Sequence, residues 1–357
     1  MMSSNNTNIF LTLVRLGIEH TGCVNLDIID WSVIENHACQ HGLLAVVVDG
    51  IEKLPEGKRP PRELLLQWIG ETLQSYEYRD ERYRRVIAEM ATFYNAHGFK
   101  MMLLKGFACA MNWPKPEHRP CGDIDIWLFG KQKEADAVLA KEGGGIDNSH
   151  HHHSVFYWGD FMVENHYDFV NVHARKSSKE LEIVFKELGQ DDSHFVELFG
   201  EKVYLPSPNL HALFLIRHLV SHFVGSNITL RQVLDWAFFV EKNTKEIDWK
   251  WLVELLEKYH MLDFYNCINA ICVEDLGFPV ALFNTVQFVP NMKDKMLNDI
   301  LNPAFVTEDP KGLIKRMVFK YNRWKGNAWK QDLCYNESRW SAFWTGIWAK
   351  LLKPASI

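Results

Sequence analysis

Hydrophobic residues recur at helical spacing along most of the chain, but the period changes between residues 98 and 170. Residues 62–97 have the apolar and charged spacing of one long amphipathic helix. Beyond them, "FKMMLLKG" and "GDIDIWLF" are short apolar runs that predict strands, and "HSVFYWG" with "FMVENHYDFV" predicts a hairpin. "KQKEADAVLAKEGG" predicts a helix between them. Helical spacing returns after residue 206, so an α+β protein with helical flanks is expected.

This pattern divides the chain into four regions. We expect an N-terminal helical region at 1–82, a small α/β domain at 83–205 and a helical domain at 206–310. Residues 311–357 then form a basic, tryptophan-rich helical tail, with ten Lys or Arg against two acidic residues.

Composition narrows the class of protein. The chain has 357 residues, of which 47% are hydrophobic and 24% charged, as in a globular protein with a sizeable core. A net charge of -6 argues against a protein that coats nucleic acid. Seven cysteines, without a CxxC pair, favour free thiols over disulfides or zinc. We find no signal peptide and no transmembrane stretch, so a cytoplasmic location is expected.

The tail ends in "RWSAFWTGIWAKLLKP", whose large apolar residues recur at helical spacing among basic ones. A peripheral helix on a membrane surface has this pattern, and so does a terminal helix docked on the body of the protein. We favour the docked helix, because stable membrane anchoring usually needs a second signal and no lipidation site is evident.

Two carboxylates in the second predicted strand carry the first chemical signal. Asp123 and Asp125 are one residue apart, so in a strand their side chains share one face. Neighbouring carboxylates repel each other unless a proton or a cation lies between them, and Mg²⁺ is the usual cation for oxygen ligands. Glu164 is the expected third acid, and Asp168 is a weaker candidate because it lies past the centre of its strand. Solvated carboxylates on an edge strand are the alternative.

Three segments together resemble a known family. "LLKGFACAMNW", "RPCGDIDIWLF" and "MVENHYDF" resemble the uncharacterised bacterial nucleotidyltransferases of the DNA polymerase beta-like superfamily, and the helices up to about residue 270 resemble the second half of that family. The resemblance implies transfer of a nucleoside monophosphate from NTP to a hydroxyl group, with release of pyrophosphate. It implies Mg²⁺ or Mn²⁺ as cofactor, held by Asp123, Asp125 and Glu164 as the catalytic acids. The acceptor is a sugar, another small molecule, a protein or an RNA end.

The same resemblance implies residues for the nucleotide. Gly106 would let the backbone approach the triphosphate, and Lys105 and Arg119 would neutralise its charge. The wider superfamily usually has Gly-Ser or Gly-Gly where this chain has Lys105-Gly106. A catalytically silent nucleotide- or partner-binding protein on the same fold is therefore the alternative function.

Histidines supply further candidates. His166 lies two residues after Glu164, either as a partner of the metal site or as a polar residue at its rim. The run at 150–153 reads as an exposed turn or as transition-metal ligands, and His153 leads into the strand before Glu164. His218 and His222 share a helix face, which favours helix packing over metal binding or substrate contact.

Overall fold

The computed structural model of the chain describes residues 4–21, 29–150, 152–173, 175–284, 290–305 and 312–338. Their α-helices are α1 Ser4–Gly17, α2 Trp31–His41, α3 Leu44–Glu52, α4 Arg62–Glu71, α5 Tyr78–Ala96, α6 Phe107–Ala110, α7 Gln132–Lys141, α8 Lys176–Leu188, α9 Pro208–Gly225, α10 Leu230–Asn243, α11 Trp249–Lys258, α12 Leu262–Ala270, α13 Pro290–Leu301, α14 Leu313–Gly326 and α15 Ala328–Cys334. Their strands are β1 Met102–Leu103, β2 Ile124–Trp127, β3 His153–Trp158, β4 Phe161–His166, β5 Phe195–Leu198 and β6 Glu201–Tyr204. The expected α+β class is confirmed.

The described residues fall into two compact units. One unit contains the described residues of Met1–Gln74 and Leu215–Asn336. Its described residues include α-helices but no strand of the sheet. The other contains those of Ser75–Phe214 and Glu337–Ile357, and it holds the whole sheet. The division into 1–82, 83–205, 206–310 and 311–357 stays a prediction. The docked helix predicted at the end of the tail lies outside the described residues.

A mixed sheet, ordered β3-β4-β2-β1-β6-β5, is the frame of the second unit. The predicted hairpin is confirmed, because β3 and β4 pair antiparallel around a turn at Gly159. β2 lies parallel to β4 and antiparallel to β1. The acidic strand is therefore central, with a paired neighbour on each side, which excludes the edge-strand alternative for its carboxylates.

One face of the sheet packs on helices, and this decides where the acidic side chains lie. Ile124, Ile126 and Val163 are buried in one apolar cluster with Ile87 of α5 and Leu139 of α7. Because strand side chains alternate, residues 125 and 164 project from the opposite face. Burial of these branched residues thus fixes the register that brings the two acids together.

Two elements of this unit were not predicted from the sequence. The hairpin β5–β6 turns at Phe199 and Gly200, which both have positive φ, as in the two-residue turns that favour hairpins. Its strand β5 is only partly buried, so its apolar pattern is weak. The helix α8 buries Glu182, which accepts hydrogen bonds from the backbone N–H groups of Phe169 and Val170 at 3.1 and 3.0 Å. A charged residue at that buried position obscures the helical period.

Two expectations from composition can be compared with the structure. The cysteines at 39, 109, 121, 267, 272 and 334 are free thiols, as expected. Among the helices that the structure describes, none combines the length and the apolar character needed to cross a bilayer.

Candidate active site

Asp125 and Glu164 lie side by side on the two central parallel strands. They are register partners across β2 and β4, between the pairs Ile124–Val163 and Ile126–Asn165. Asp125 is 2% exposed, whereas Glu164 is partly open to solvent. Two carboxylates at adjacent positions of a sheet need compensating charge, because burial strengthens their repulsion. The sheet therefore places the predicted pair at one point.

Two cationic side chains meet the Asp125 carboxylate. Lys105 Nζ lies 2.7 Å from Asp125 Oδ1, and His166 Nε2 lies 2.9 Å from the same oxygen. Burial opposes ionisation of this carboxyl, but the charges of Lys105 and His166 outweigh burial and hold the pKa of Asp125 well below its usual range. Asp125 is thus an anion at neutral pH. The Lys105 ammonium group neutralises part of this negative charge.

His166 bridges the two acids. Its Nε2 is 3.4 Å from Glu164 Oε2 as well as 2.9 Å from Asp125 Oδ1. Burial acts to lower the pKa of His166, but its hydrogen bonds to Asp125 and Glu164 raise that pKa to about 9. Burial likewise opposes ionisation of Glu164, yet the hydrogen bond from His166 lowers the pKa of Glu164. His166 was expected either as a partner of the metal site or as a polar residue at its rim. Its direct contacts with both acids favour the role of a partner.

His153 approaches the same site from β3. Its Nε2 lies 3.9 Å from Glu164 Oε1, and its ring centroid is 5.5 Å from that of His166. Burial lowers the pKa of His153 to about 4, so the imidazole is neutral at pH 7. The neighbouring His152 packs edge-on against it at 4.3 Å. The histidine run is therefore not simply an exposed turn, because two of its members line this site.

Asp123 stands just before β2 and is only partly buried. Burial and the nearby Asp125 carboxylate raise the pKa of Asp123. Ligand atoms of Asp125, Glu164 and His166 lie within 4.8 Å of one another and could hold a metal ion, whereas Asp123 is not part of that close group among the described residues. The close group thus consists of two carboxylates and an imidazole, and the role of Asp123 as a third acidic ligand stays a prediction.

The structure explains the glycine at position 106 in a way that the sequence did not indicate. It adopts φ 55° and ψ −102°, a conformation that only glycine adopts without strain. A Cβ at this position would collide with the Tyr83 hydroxyl. That hydroxyl donates a hydrogen bond of 2.9 Å to the carbonyl oxygen of Asp123. Tyr83 therefore ties α5 to the residue that precedes the acidic strand, and Gly106 leaves room for its hydroxyl group.

The remaining predicted residues have other surroundings. Arg119 is 6% exposed and donates a hydrogen bond of 3.3 Å to the carbonyl of Pro120. The Asp168 carboxylate forms an ion pair of 2.5 Å with Lys186, and it does not belong to the close group of Asp125, Glu164 and His166. His218 and His222 lie on α9 in the first compact unit, with ring centroids 4.3 Å apart.

Sequence reasoning missed Tyr83 and His152. Tyr83 lies in the amphipathic helix, where a buried tyrosine looks like any other core residue. Of these two residues, only His152 could have been found from the sequence, because it belongs to the histidine run at 150–153.

The site thus has paired acids on the central strands of the sheet, a lysine beside them and helices behind the sheet. Residues 27–277 match the model of the uncharacterised nucleotidyltransferase family. Because this match covers more than half of the chain, the chain belongs to that family.

Comparison with solved structures finds an antigenic nucleotidyltransferase-like protein from Paracoccidioides brasiliensis. It is 13% identical, with a TM-score of 0.36 over 57% of this chain and 96% of that chain. No curated protein matches the chain.

Proposed function

We propose that this protein is a metal-dependent nucleotidyltransferase that moves a nucleoside monophosphate from NTP to a hydroxyl group. The observation that carries the proposal is the pairing of Asp125 with Glu164 on adjacent parallel strands of a nucleotidyltransferase family member. In the reaction, the acceptor hydroxyl loses its proton to solvent and its oxygen bonds to the α-phosphorus, while the bond from that phosphorus to the bridging oxygen of the pyrophosphate breaks. Pyrophosphate then leaves.

The donor set is suited to a divalent cation. Asp125 and Glu164 supply carboxylate oxygens, His166 supplies a nitrogen, and their atoms lie within 4.8 Å of one another. A bound cation would supply charge stabilisation for the attacking and leaving oxygens. Asp123 adds negative charge beside this group and completes the acidic motif implied by the family.

Lys105 has two partners in this proposal. In the ligand-free protein it neutralises Asp125 at 2.7 Å. With a cation and NTP bound, Asp125 would hold the cation, and the Lys105 ammonium group would be free to pair with the triphosphate. Arg119 adds positive charge on the segment that leads into β2. The acceptor stays within the predicted classes: a sugar, another small molecule, a protein or an RNA end.

Labelled nucleotides test the transfer directly. Wild-type protein is incubated with Mg²⁺ or Mn²⁺ and each α-labelled NTP, against lysate fractions separated by size. We expect label to enter one fraction, and Asp125→Asn to abolish the transfer without loss of folding. The matched control is Asp192→Asn, which removes an exposed carboxylate that pairs with Lys100. Equal transfer by the wild type and Asp125→Asn would refute the proposal.

A second function is favoured by one observation. The Asp125 carboxylate already binds both Lys105 and His166, and these two groups compete with any cation. A catalytically silent protein that binds a nucleotide or a partner would retain such internal neutralisation. Calorimetry measures NTP binding, and incubation with the lysate fractions shows whether pyrophosphate is released. NTP binding without release of pyrophosphate in any fraction would favour the silent protein.

A further inference from the structure

The basic helix α14 packs on the protein through one of its faces. Phe319, Arg323 and Gly326 follow one another at the i, i+4 and i+7 spacing of a single helix face. The Phe319 ring lies edge-on to that of Phe305 with 6.0 Å between centroids, and the Phe305 ring also covers Gly326. The Arg323 guanidinium donates a hydrogen bond to the carbonyl oxygen of Gly225. These contacts determine which side of the helix is turned outward.

The opposite face of α14 carries an apolar stripe, formed by Met317, Tyr321 and Trp324. These residues have the same i, i+4 and i+7 spacing, and helical geometry places them about half a turn away from the packed face. Met317 is 64% exposed, Tyr321 is 55% exposed and the neighbouring Val318 is 53% exposed, while Trp324 is partly exposed. The Tyr321 and Trp324 rings have 6.1 Å between centroids, so the stripe is continuous. A contiguous apolar patch that is exposed and rimmed by polar residues commonly marks an interaction surface.

Positive charge surrounds the apolar stripe. Lys320 and Lys325 are exposed, and their positions on the helix flank the stripe on its two sides. The helix holds five basic residues and no acidic one. The sequence has no Asp or Glu at 311–331, although the whole chain carries a net charge of -6. The outer face of α14 is therefore a positive surface on a protein that is negative overall.

Charge and apolar character together favour one occupant for this surface. A second copy of the helix would bring like charge to it, and so would residues 339–357, which include three basic residues and no acidic one. A nucleic acid would neutralise the cations, but it offers no aliphatic surface to Met317 and Val318. An anionic bilayer matches both properties, because its phosphates attract Lys and Arg while the acyl boundary accepts apolar side chains. Tyr and Trp are also the aromatic residues that are enriched at that boundary.

We propose that α14 binds the surface of an anionic membrane, with Met317, Tyr321 and Trp324 at the boundary between headgroups and acyl chains and with its cations paired to lipid phosphates. The binding is reversible, because a short apolar stripe and a set of cations hold a protein more weakly than a membrane-spanning helix does. The docking predicted for the final helix concerns other residues and is unaffected. Helix α14 belongs to the first compact unit and the paired acids to the second, so membrane binding is independent of nucleotidyl transfer.

Sedimentation of the full chain with lipid vesicles tests the proposal. Vesicles of phosphatidylcholine and phosphatidylglycerol in equal parts should bind the protein, vesicles of phosphatidylcholine alone should not, and binding should weaken as the salt concentration rises. Lys320→Gln and Lys325→Gln should each weaken binding about fivefold. Met317→Ser combined with Tyr321→Ser should weaken it by about tenfold or more, because the apolar contact with the lipid is lost.

Two control variants change similar side chains elsewhere in the first compact unit. Leu66→Ser removes an apolar side chain of α4 that is also exposed, and Lys245→Gln removes an exposed cation outside α14. Both should bind the anionic vesicles as the wild type does. Hydrogen exchange locates the contact, since the amides of residues 313–326 should exchange more slowly in the presence of these vesicles.

Three results would overturn the membrane proposal. The first is a wild type that binds neither vesicle or binds both equally, and this comparison decides even if a variant fails to fold. The second is binding of single-stranded RNA without binding of anionic vesicles, which would assign the cations to nucleic acid. The third is a dimer that Met317→Ser with Tyr321→Ser dissociates while the vesicles bind no protein, which would assign the stripe to a second copy of the chain.

Discussion

Replacement of Gly106 by alanine should expose how tightly the loop before the site is constrained. The residue has φ 55° and ψ −102°, outside the left-handed α region, and a sparsely populated backbone conformation of this kind costs a non-glycine residue about 1–2 kcal/mol. The new methyl group would also push away the Tyr83 hydroxyl, which donates 2.9 Å to the Asp123 carbonyl. Loss of that hydrogen bond costs about 1 kcal/mol more. We therefore expect the free energy of unfolding to fall by about 2–3 kcal/mol.

Two further variants separate the strain from the collision. Gly98 also has positive φ, but nothing lies within 4 Å of a Cβ at that position. Gly98→Ala should therefore show the cost of a positive φ without a collision. Tyr83→Phe removes the colliding oxygen, and the remaining ring carbon would lie 3.5 Å from the new Cβ, an ordinary contact.

Denaturant unfolding of the single and double variants measures the coupling. Gly106→Ala in the Tyr83→Phe background should cost about 1 kcal/mol less than in the wild type, because the hydrogen bond is already absent. Equal costs in both backgrounds, together with equal effects of Gly98→Ala and Gly106→Ala, would refute the role assigned to the Tyr83 hydroxyl.

Two other predictions concern charge. Lys105→Ala should lower stability by about 3–5 kcal/mol in metal-free buffer, because it leaves buried Asp125 without its ammonium partner, and a divalent cation should restore much of the loss in thermal melts. If no divalent cation stabilises this variant, the proposal that a cation and the Lys105 ammonium group neutralise the same carboxylate is contradicted. Burial lowers the pKa of His41 to about 4, so the unfolded chain takes up the proton first as the pH falls below 6.5. Stability is therefore retained above pH 6.5 and should decline by about 3 kcal/mol by pH 4, whereas His41→Leu should remove this part of the decline; an unchanged pH profile in that variant would contradict the assignment.

The acidic strand could be predicted because its pattern is local. Isoleucines alternate with aspartates in "GDIDIW", and turns bound the strands around it, so strand and face follow from the period. Glu164 was expected beside the aspartates because it is an acid in a neighbouring predicted strand, and the resemblance to a family supported that choice. The period alone does not say which strands are neighbours.

Other parts of the site depend on contacts that sequence spacing does not encode. The bond from Tyr83 to the Asp123 carbonyl joins residues that are 40 positions apart. The position of His153 beside His166 depends on the register of β3 against β4, in which the two residues are partners. The ion pair between Lys105 and Asp125 also depends on tertiary structure, because it requires the loop after β1 to lie over β2. Sequence spacing therefore left open whether His166 contacts the acids or lies at the rim of the site, and Asp123 as a ligand stays a prediction.

The central claim is that the carboxylates of Asp125 and Glu164 support transfer of a nucleoside monophosphate. It is tested most directly by incubating the protein and a divalent cation with NTP labelled at either the α- or the γ-phosphate, in the presence of the acceptor-containing fraction. We expect α-label to enter the acceptor, γ-label to leave with pyrophosphate, and Asp125→Asn to stop both while Asp192→Asn does not. Transfer of γ-label to the acceptor, or undiminished transfer of α-label by Asp125→Asn, would contradict it.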